Sequence, residues 1–301
     1  MTVVASAPGK IVLSGEYAVL SGAPAVCMAV EVRARATVSA SADGRCHVST
    51  PGLAGTDSYA VIDAVCEGVR PASIVELDTE AFSVDGAKVG IGSSAAVTVA
   101  LTAALEGSTD VFAQALRAHA ALQGGAGSGI DVAAAVHGGL IQYEMSSRNV
   151  VELDWPVGLE MRVLWSGVPS STRVKLNKLA GQAVQPSRAA LTGAAGKIAE
   201  AWRSGIADTV LAGYQNYIDA LRQFSVDHDL GIFDAGHDQL TDTAMAANLV
   251  YKPAGAGGGD IGVLLGRDAA DLDRFIAANE KMIDRVVPCR LDPAGVRLES
   301  A

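Results

Sequence analysis

Between residues 25 and 40 apolar and polar positions fall into alternation, with Val32, Ala34, Ala36, Val38 and Ala40 on one side and Glu31, Arg33, Arg35, Thr37 and Ser39 on the other. A period of two predicts a half-exposed strand of the antiparallel kind. Upstream, 3–19 reads as strand, turn and strand, with Ala7-Pro8-Gly9-Lys10 at the turn. Downstream, Asp43-Gly44 signals a hairpin turn into a short strand at 46–49. A helical segment at 57–69 and short strands at 74–77 and 81–84 follow. The period then lengthens, predicting helices at 94–106, 109–122 and 129–137, before strands return at 139–143 and 150–153. In the second half a strand at 160–165 precedes a long helical stretch from 172 to about 250, broken at Pro186, Gly205 and Gly231. An apolar strand at 261–265, a helix at 269–281 and one or two short strands close the chain. Strands mixed with helices, some in hairpin-like pairs, predict an α+β fold rather than a doubly wound parallel sheet. Trp155-Pro156-Val157-Gly158 marks a boundary, dividing 1–156 from 157–301.

Composition narrows the classes. Of 301 residues 50% are hydrophobic but only 5% aromatic, so alanine, valine, leucine and glycine must fill the core, which suits helices packed closely on sheets. A formal net charge of −10 argues against nucleic acid as a partner. It leaves room for a small anionic substrate, because a few local lysines bind a phosphate inside an acidic protein. Cys27, Cys46, Cys66 and Cys289 are scattered without a CxxC pair or histidines at zinc spacing, a pattern of free thiols in a reducing compartment. With no leader pattern and no apolar run long enough to span a bilayer, the expectation is a cytoplasmic protein with no membrane partner. The sequence leaves monomer and homodimer equally open.

Three glycine-rich turns carry the candidate chemistry. In Lys88-Val89-Gly90-Ile91-Gly92-Ser93-Ser94-Ala95-Ala96, the glycines let the backbone approach a ligand, and Ser93 or Ser94 can cap the helix that follows. A helix start with a lysine beside it is an anion site. Gly90-x-Gly92-x-x-Ala95 also matches a loose dinucleotide fingerprint, but Val84-Asp85-Gly86-Ala87-Lys88 is no buried strand and the helix leads into another helix. Thr192-Gly193-Ala194-Ala195-Gly196-Lys197-Ile198 lacks P-loop spacing, and its Lys197 belongs on a solvated helix face. The second turn, Gly124 to Asp131, and the third, Lys252 to Asp260, need explaining together with the first. Phosphoryl transfer does so: it needs backbone amides around phosphates, a hydroxyl for Mg²⁺, a cation and a carboxylate to orient the acceptor. Ser93 or Ser94, Lys88, Lys10 and Asp131 are candidates for those parts, against the plainer reading of Asp131 as an acid complementing a helix dipole.

Pro8-Gly9-Lys10 through Leu20, Gly90-Ile91-Gly92-Ser93-Ser94-Ala95-Ala96 with Ser128-Gly129-Ile130-Asp131 downstream, and Gly255-Ala256-Gly257-Gly258-Gly259 resemble, in order, the motifs of the GHMP kinase superfamily. Within it the lysine-led second motif, Gly127 to Gly138, Lys252-Pro253 before the third motif, and Trp165-Ser166-Gly167 with Ser170-Ser171-Thr172-Arg173 are most similar to the phosphomevalonate kinase group. Ile130 stands where that group usually has phenylalanine, the chain is short for it, and Gly15-Glu16-Tyr17-Ala18-Val19 is the mevalonate-kinase form of motif one. The resemblance implies two α+β domains, the first like domain 2 of ribosomal protein S5 and the second ferredoxin-like. It also implies ATP and Mg²⁺ as cofactors, with phosphates on Lys88, Gly90, Gly92, Ser93, Ser94 and Ala95, the metal at Ser94, and Lys10 and Asp131 as catalytic residues. Glu16, Tyr17, Ser128, Arg173, Lys175, Lys252, Ala256, Gly257 and Gly258 are the implied acceptor contacts. Phosphomevalonate is the implied acceptor; mevalonate or another small alcohol, and a non-catalytic ligand sensor of the same fold, are the alternatives.

Overall fold

The alternating segment forms one long strand, and a comparably long one runs before it. In the computed structural model, which describes residues 2–52, 56–107, 110–125, 127–180, 182 and 186–299, β1 is Thr2–Ser14 and β2 is Ala25–Ala40. They are followed by β3 (His47–Ser49), α1 (Thr56–Val65), β4 (Ser73–Asp78), β5 (Ser83–Val84) and β6 (Ala87–Lys88). Three helices come next, α2 (Ser93–Glu106), α3 (Val111–Leu122) and α4 (Ile130–His137), then the strands β7 (Leu140–Glu144), β8 (Asn149–Leu153) and β9 (Glu160–Trp165). Four more helices follow: α5 (Thr172–Ala180), α6 (Pro186–Arg203), α7 (Ala207–Asp227) and α8 (His237–Ala246). The chain closes with β10 (Val250–Pro253), β11 (Ile261–Gly266), α9 (Ala269–Ala278), β12 (Arg285–Val287) and β13 (Arg297–Glu299). The class is α+β, as the mixed pattern predicts.

The contacts fall into two compact units, each assembled from segments distant in sequence. One takes the chain up to Ile11, Met28–Gly139 and Arg290 onward; the other takes Val12–Cys27 and Leu140–Cys289. In the first unit the strands lie in the order β13-β1-β2-β4-β3. Here β2 and β4 are antiparallel from Arg35↔Asp78 to Ala40↔Ser73. Helix α2 packs with α1, α3 and α4, and its ten residues from Ala95 to Ala104 are all buried. A helix buried on every side belongs in a core, and small alanines allow its neighbours to approach closely. In the second unit β10-β11-β9-β12 form an antiparallel sheet. With α5–α8 between β9 and β10, and α9 between β11 and β12, it has the β-α-β-β-α-β arrangement of ferredoxin-like folds. Leu164, Leu240, Tyr251, Leu264, Leu272 and Phe275 are among its core, and Trp202, Tyr214 and Tyr217 are fully buried on α6 and α7.

Three local expectations differ. The turn at Pro8-Gly9 is absent, because β1 runs straight through it. Gly9 serves close packing instead: a Cβ there would stand 2.6 Å from the Ile91 carbonyl oxygen and 2.8 Å from the Phe82 ring. The register with β13 runs from Val4 to Ser6, so Pro8 lies past the end of that pairing. Asp43-Gly44 does turn, its carboxylate accepting from the Ser41 hydroxyl and the Arg45 N–H. The strand after it, however, joins β4 in parallel rather than folding back as a hairpin. At 81–84 the predicted strand is a 3₁₀ turn, Glu80–Phe82, followed by β5. Strands β5 and β6 pair antiparallel about Asp85-Gly86, both with positive φ, as a tight two-residue hairpin needs.

Candidate active site

Residues of the first unit build a cation and helix-start site. Strand β1 delivers Lys10, whose backbone N–H donates to the Ile91 carbonyl at 2.8 Å. Gly92, at φ 87°, precedes α2 in a left-handed conformation. A Cβ on Gly92 would lie 2.9 Å from Lys10 Cγ and 3.0 Å from Cε, so the lysine stem crosses the bare face of this glycine. Lys10 Nζ then stands 3.4 Å from Asp131 Oδ1, with 10% of the lysine and 27% of the aspartate side chain exposed. Asp131 sits in the first turn of α4, where Ser128 Oγ accepts the Ile130 N–H at 3.4 Å. Lys10 therefore touches the start of α2 and the first turn of α4, two places where the helix dipole is positive.

Ser93 and Ser94 are not caps. They are the first two residues of α2, whose N-cap position is Gly92, and no side chain caps that end. The first N–H groups of the helix are thereby left for a ligand. Ser94 is exposed and Ser93 half-buried, whereas Ala95 is buried and can offer only its backbone. Lys88 is exposed on β6 opposite Ser83, and Gly90 is half-buried. Sequence reading passed over His119 on α3. It is 3% exposed and lies within the fields of Asp131 and Lys10. Burial lowers its pKa, Lys10 lowers it further and Asp131 opposes, so the imidazole is neutral at pH 7.

The second unit holds the other sequence-predicted residues. Glu16 is 5% exposed and Lys252 is wholly buried. Lys252 Nζ donates to Glu16 Oε1, and the Tyr217 hydroxyl donates to Glu16 Oε2. The same hydroxyl accepts the Gly15 N–H at 2.8 Å and the Glu16 N–H at 3.0 Å. Tyr17, in a left-handed conformation at φ 59°, donates its hydroxyl to the Ala256 carbonyl at 2.7 Å. Burial, helped by the Glu16 charge, pushes the Tyr17 phenol far up, so it stays a donor.

The third glycine turn is held through its carbonyls. Ser170 Oγ donates to Gly257 at 2.6 Å. His237 Nε2 lies 3.0 Å from the Gly259 carbonyl, which can only accept; the proton is thus on Nε2, and Nδ1 accepts from the Tyr251 hydroxyl at 2.8 Å. Burial keeps His237 neutral by lowering its pKa. Gly258 sits at φ 72° with the Gly231 carbonyl oxygen 2.5 Å from where a Cβ would stand, which calls for glycine, and Lys175 Nζ lies over the same bare face. Lys175 itself donates to the Gly231 carbonyl at 3.1 Å. Burial lowers its pKa, while Asp234 and Asp260 raise it. Arg173, on the same helix, is exposed. The structure thus joins Lys10 to Gly92 and Asp131, Glu16 to Lys252, Tyr17 to Ala256, and Lys175 to Gly258. It gives Ser170, already quoted in the resemblance, a partner, and adds His119, Tyr217 and His237, of which only Tyr217, three residues after Tyr214 on one helix of a chain poor in aromatics, leaves a visible sign in the sequence.

These residues fit a magnesium nucleotide. An uncapped helix start, a glycine whose missing Cβ makes room for a lysine stem, and that lysine are what a polyphosphate needs. Among the described residues no cluster of three or more His, Cys, Asp or Glu could hold a metal. Among them, too, no helix is long and apolar enough to cross a membrane.

Comparison with known proteins agrees with this chemistry, although no family model matches the chain. The phosphomevalonate kinase of Streptomyces sp. (strain CL190) is 31% identical over 97% of each chain. The mevalonate kinase of Methanothermobacter thermautotrophicus is 35% identical over 51% of this chain and 54% of its own. Among solved structures, Streptococcus pneumoniae phosphomevalonate kinase in complex with phosphomevalonate and AMPPNP superimposes with a TM-score of 0.79 at 19% identity, covering 96% of this chain and 99% of that one. The chain belongs to the GHMP kinase superfamily, ATP-dependent phosphotransferases that use Mg²⁺ and act on small molecules. Within that superfamily it stands among the kinases of the mevalonate pathway.

Proposed function

We propose that this chain transfers the γ-phosphoryl group of ATP to phosphomevalonate, giving diphosphomevalonate. The observation that carries this reading is the end-to-end likeness to the Streptomyces phosphomevalonate kinase. In the proposed division of roles, 1–156 binds ATP and 157–301 forms the second domain. Gly90, Gly92, Ser93, Ser94 and Ala95 receive phosphates at the start of α2, with Lys88 beside them and the Ser94 hydroxyl toward Mg²⁺. The bound nucleotide supplies the phosphoryl group, and its metal offsets negative charge. Lys10 draws charge off the transferring group, and Asp131 orients the acceptor and holds the lysine. Arg173 and Lys175 serve the acceptor's carboxylate or phosphate, Arg173 with a bidentate fork. Ser128, Tyr17 and Ala256 to Gly258 shape the acceptor's surroundings.

A phosphomonoester with a second pKa near about 6 is largely ionised at neutral pH, so no proton has to leave as the new bond forms. Charge repulsion between acceptor and ATP is then the main obstacle, which gives the lysines more to do than the carboxylate. Mevalonate kinase activity is the second reading, favoured by the Methanothermobacter relative and by Gly15-Glu16-Tyr17-Ala18-Val19. An assay coupled to ADP release, with Mg·ATP and a panel of mevalonate, phosphomevalonate and related alcohols, decides. Turnover with phosphomevalonate is expected. Transfer to mevalonate but not to its phosphate overturns the assignment, and binding without turnover of any acceptor points to a ligand sensor.

A further inference from the structure

Of the ion pairs among the described residues, Lys252–Glu16 is the most deeply buried, with side-chain exposures of 0% and 3%. Placing two charges where water cannot reach them is costly, and such a pair is weak evidence for stability. Its surroundings show another use. Lys252 lies in β10, four residues ahead of Ala256; Glu16 lies between Gly15 and Tyr17; and Tyr217 lies on α7. One hydroxyl, that of Tyr217, accepts both N–H groups of the Gly15-Glu16 turn and donates to the Glu16 carboxylate. The other carboxylate oxygen receives Lys252. One residue on, Tyr17 is held in a left-handed conformation that tyrosine rarely adopts, its ring 5.6 Å from that of Phe224 on α7 and its hydroxyl on the Ala256 carbonyl.

We propose that Tyr217, Glu16 and Lys252 form a positioning device that locks the Gly15-Glu16-Tyr17 turn to the third glycine turn before the acceptor arrives. The proposal rests on the kinase reading above and deepens it. Each carboxylate oxygen of Glu16 has a partner inside the protein, so Glu16 and Lys252 act through Tyr17 and Ala256 to Gly258 and not by touching the acceptor. Tyr217, which belongs to none of the three glycine-rich motifs, is the member that reaches both the peptide groups and the charge. Preorganised turns raise affinity because less ordering remains to be done on binding.

Tyr217→Phe removes the hydroxyl and keeps the ring. Its expected result is an acceptor KM raised about tenfold, as for loss of a hydrogen bond to a charged group, with the ATP KM within about twofold of wild type. Hydrogen–deuterium exchange should quicken both at 15–17 and at 255–258. Lys252→Met alone would strand a buried carboxylate and is expected to fold poorly, so the neutral pair Glu16→Gln/Lys252→Met tests the charges. It should fold, with the same rise in acceptor KM. Exchange at 255–258 that stays at the wild-type rate in Tyr217→Phe overturns the proposal, whatever the kinetics. So does an equal rise in both KM values, which is the mark of a merely structural role. Should the wild type phosphorylate neither mevalonate nor its phosphate, the kinase assignment fails, and the exchange at 255–258 still decides the positioning claim.

Discussion

Lys10 and Asp131 are near enough to pair, yet the aspartate keeps about a quarter of its side chain in water. With the aspartate open to water the pair is partly screened, so the consequence of breaking it falls first on catalysis. For an acceptor that is already ionised, Lys10→Met should lower kcat at least as much as Asp131→Asn. The loss is on the order of 10²–10³-fold, the scale of removing one group that stabilises charge in a transition state. Melting temperatures of both variants should stay near wild type. The reverse order, with Asp131→Asn losing several orders of magnitude and Lys10→Met still active, identifies an alcohol acceptor whose proton must be taken. Lys10 and Asp131 were legible because each stands next to glycines that mark a helix start or a close approach. Glu16 and Lys252 could be picked as site residues, but not as a pair, since 236 positions separate them. His119 and His237 are single histidines on helices, and nothing local distinguishes them from surface residues. Only tertiary packing makes them neutral and fixes what they face.

Helix α2 offers a test in which one element is its own control. Both of its flanking residues are glycines with positive φ, 87° at Gly92 and 75° at Gly107. A Cβ at Gly107 meets nothing within 4 Å, whereas one at Gly92 meets the stem of Lys10. Gly92→Ala and Gly107→Ala should each cost about 1–3 kcal/mol of stability from backbone strain, read from denaturant midpoints. Only Gly92→Ala should also lower turnover, by about 100-fold, the effect of displacing a catalytic group by about an ångström. Equal kcat losses in the two variants would remove Lys10 from the start of α2. At this scale the fold was readable wherever one period ran long enough. The sequence places helices at 94–106 and 129–137 and a strand at 160–165, and the structure has Ser93–Glu106, Ile130–His137 and Glu160–Trp165. Reading failed where pairing is not local. Nothing at 46–49 announces a parallel neighbour at β4. At Pro8-Gly9 turn-forming residues are held straight by the packing of Gly9 on Ile91 and Phe82.

For the whole molecule, the histidines set how stability responds to mild acid. Of the five in the chain, His119, His228 and His237 all have pKa values lowered from 6.5, with burial the first cause in each. Around His237, Lys175 and Lys252 lower the value further, while Asp234 and the bond to Gly259 oppose them. Below about pH 6.5 the unfolded chain takes up protons at these positions that the native protein refuses, so acid favours unfolding. Their contribution is complete above that pH and is lost as the pH falls through it. Carboxylates with depressed pKa values, such as Asp43 at about 2, act the same way only below the ordinary value of 3.8, outside this range. The urea midpoint should therefore fall between pH 7.5 and pH 5.5 with the m-value unchanged, as expected when stability changes and exposed surface does not. His237→Gln should be less stable than wild type at pH 7.5, having lost its fit between Tyr251 and Gly259, yet should show a smaller drop on acidification. A midpoint that is flat or rising over this range, or a His237→Gln variant with the full wild-type drop, would mean that the buried imidazoles accept protons in the native state. In that case Nδ1 of His237 carries a proton and cannot accept the Tyr251 hydroxyl as described above, while the bond from Nε2 to Gly259 persists.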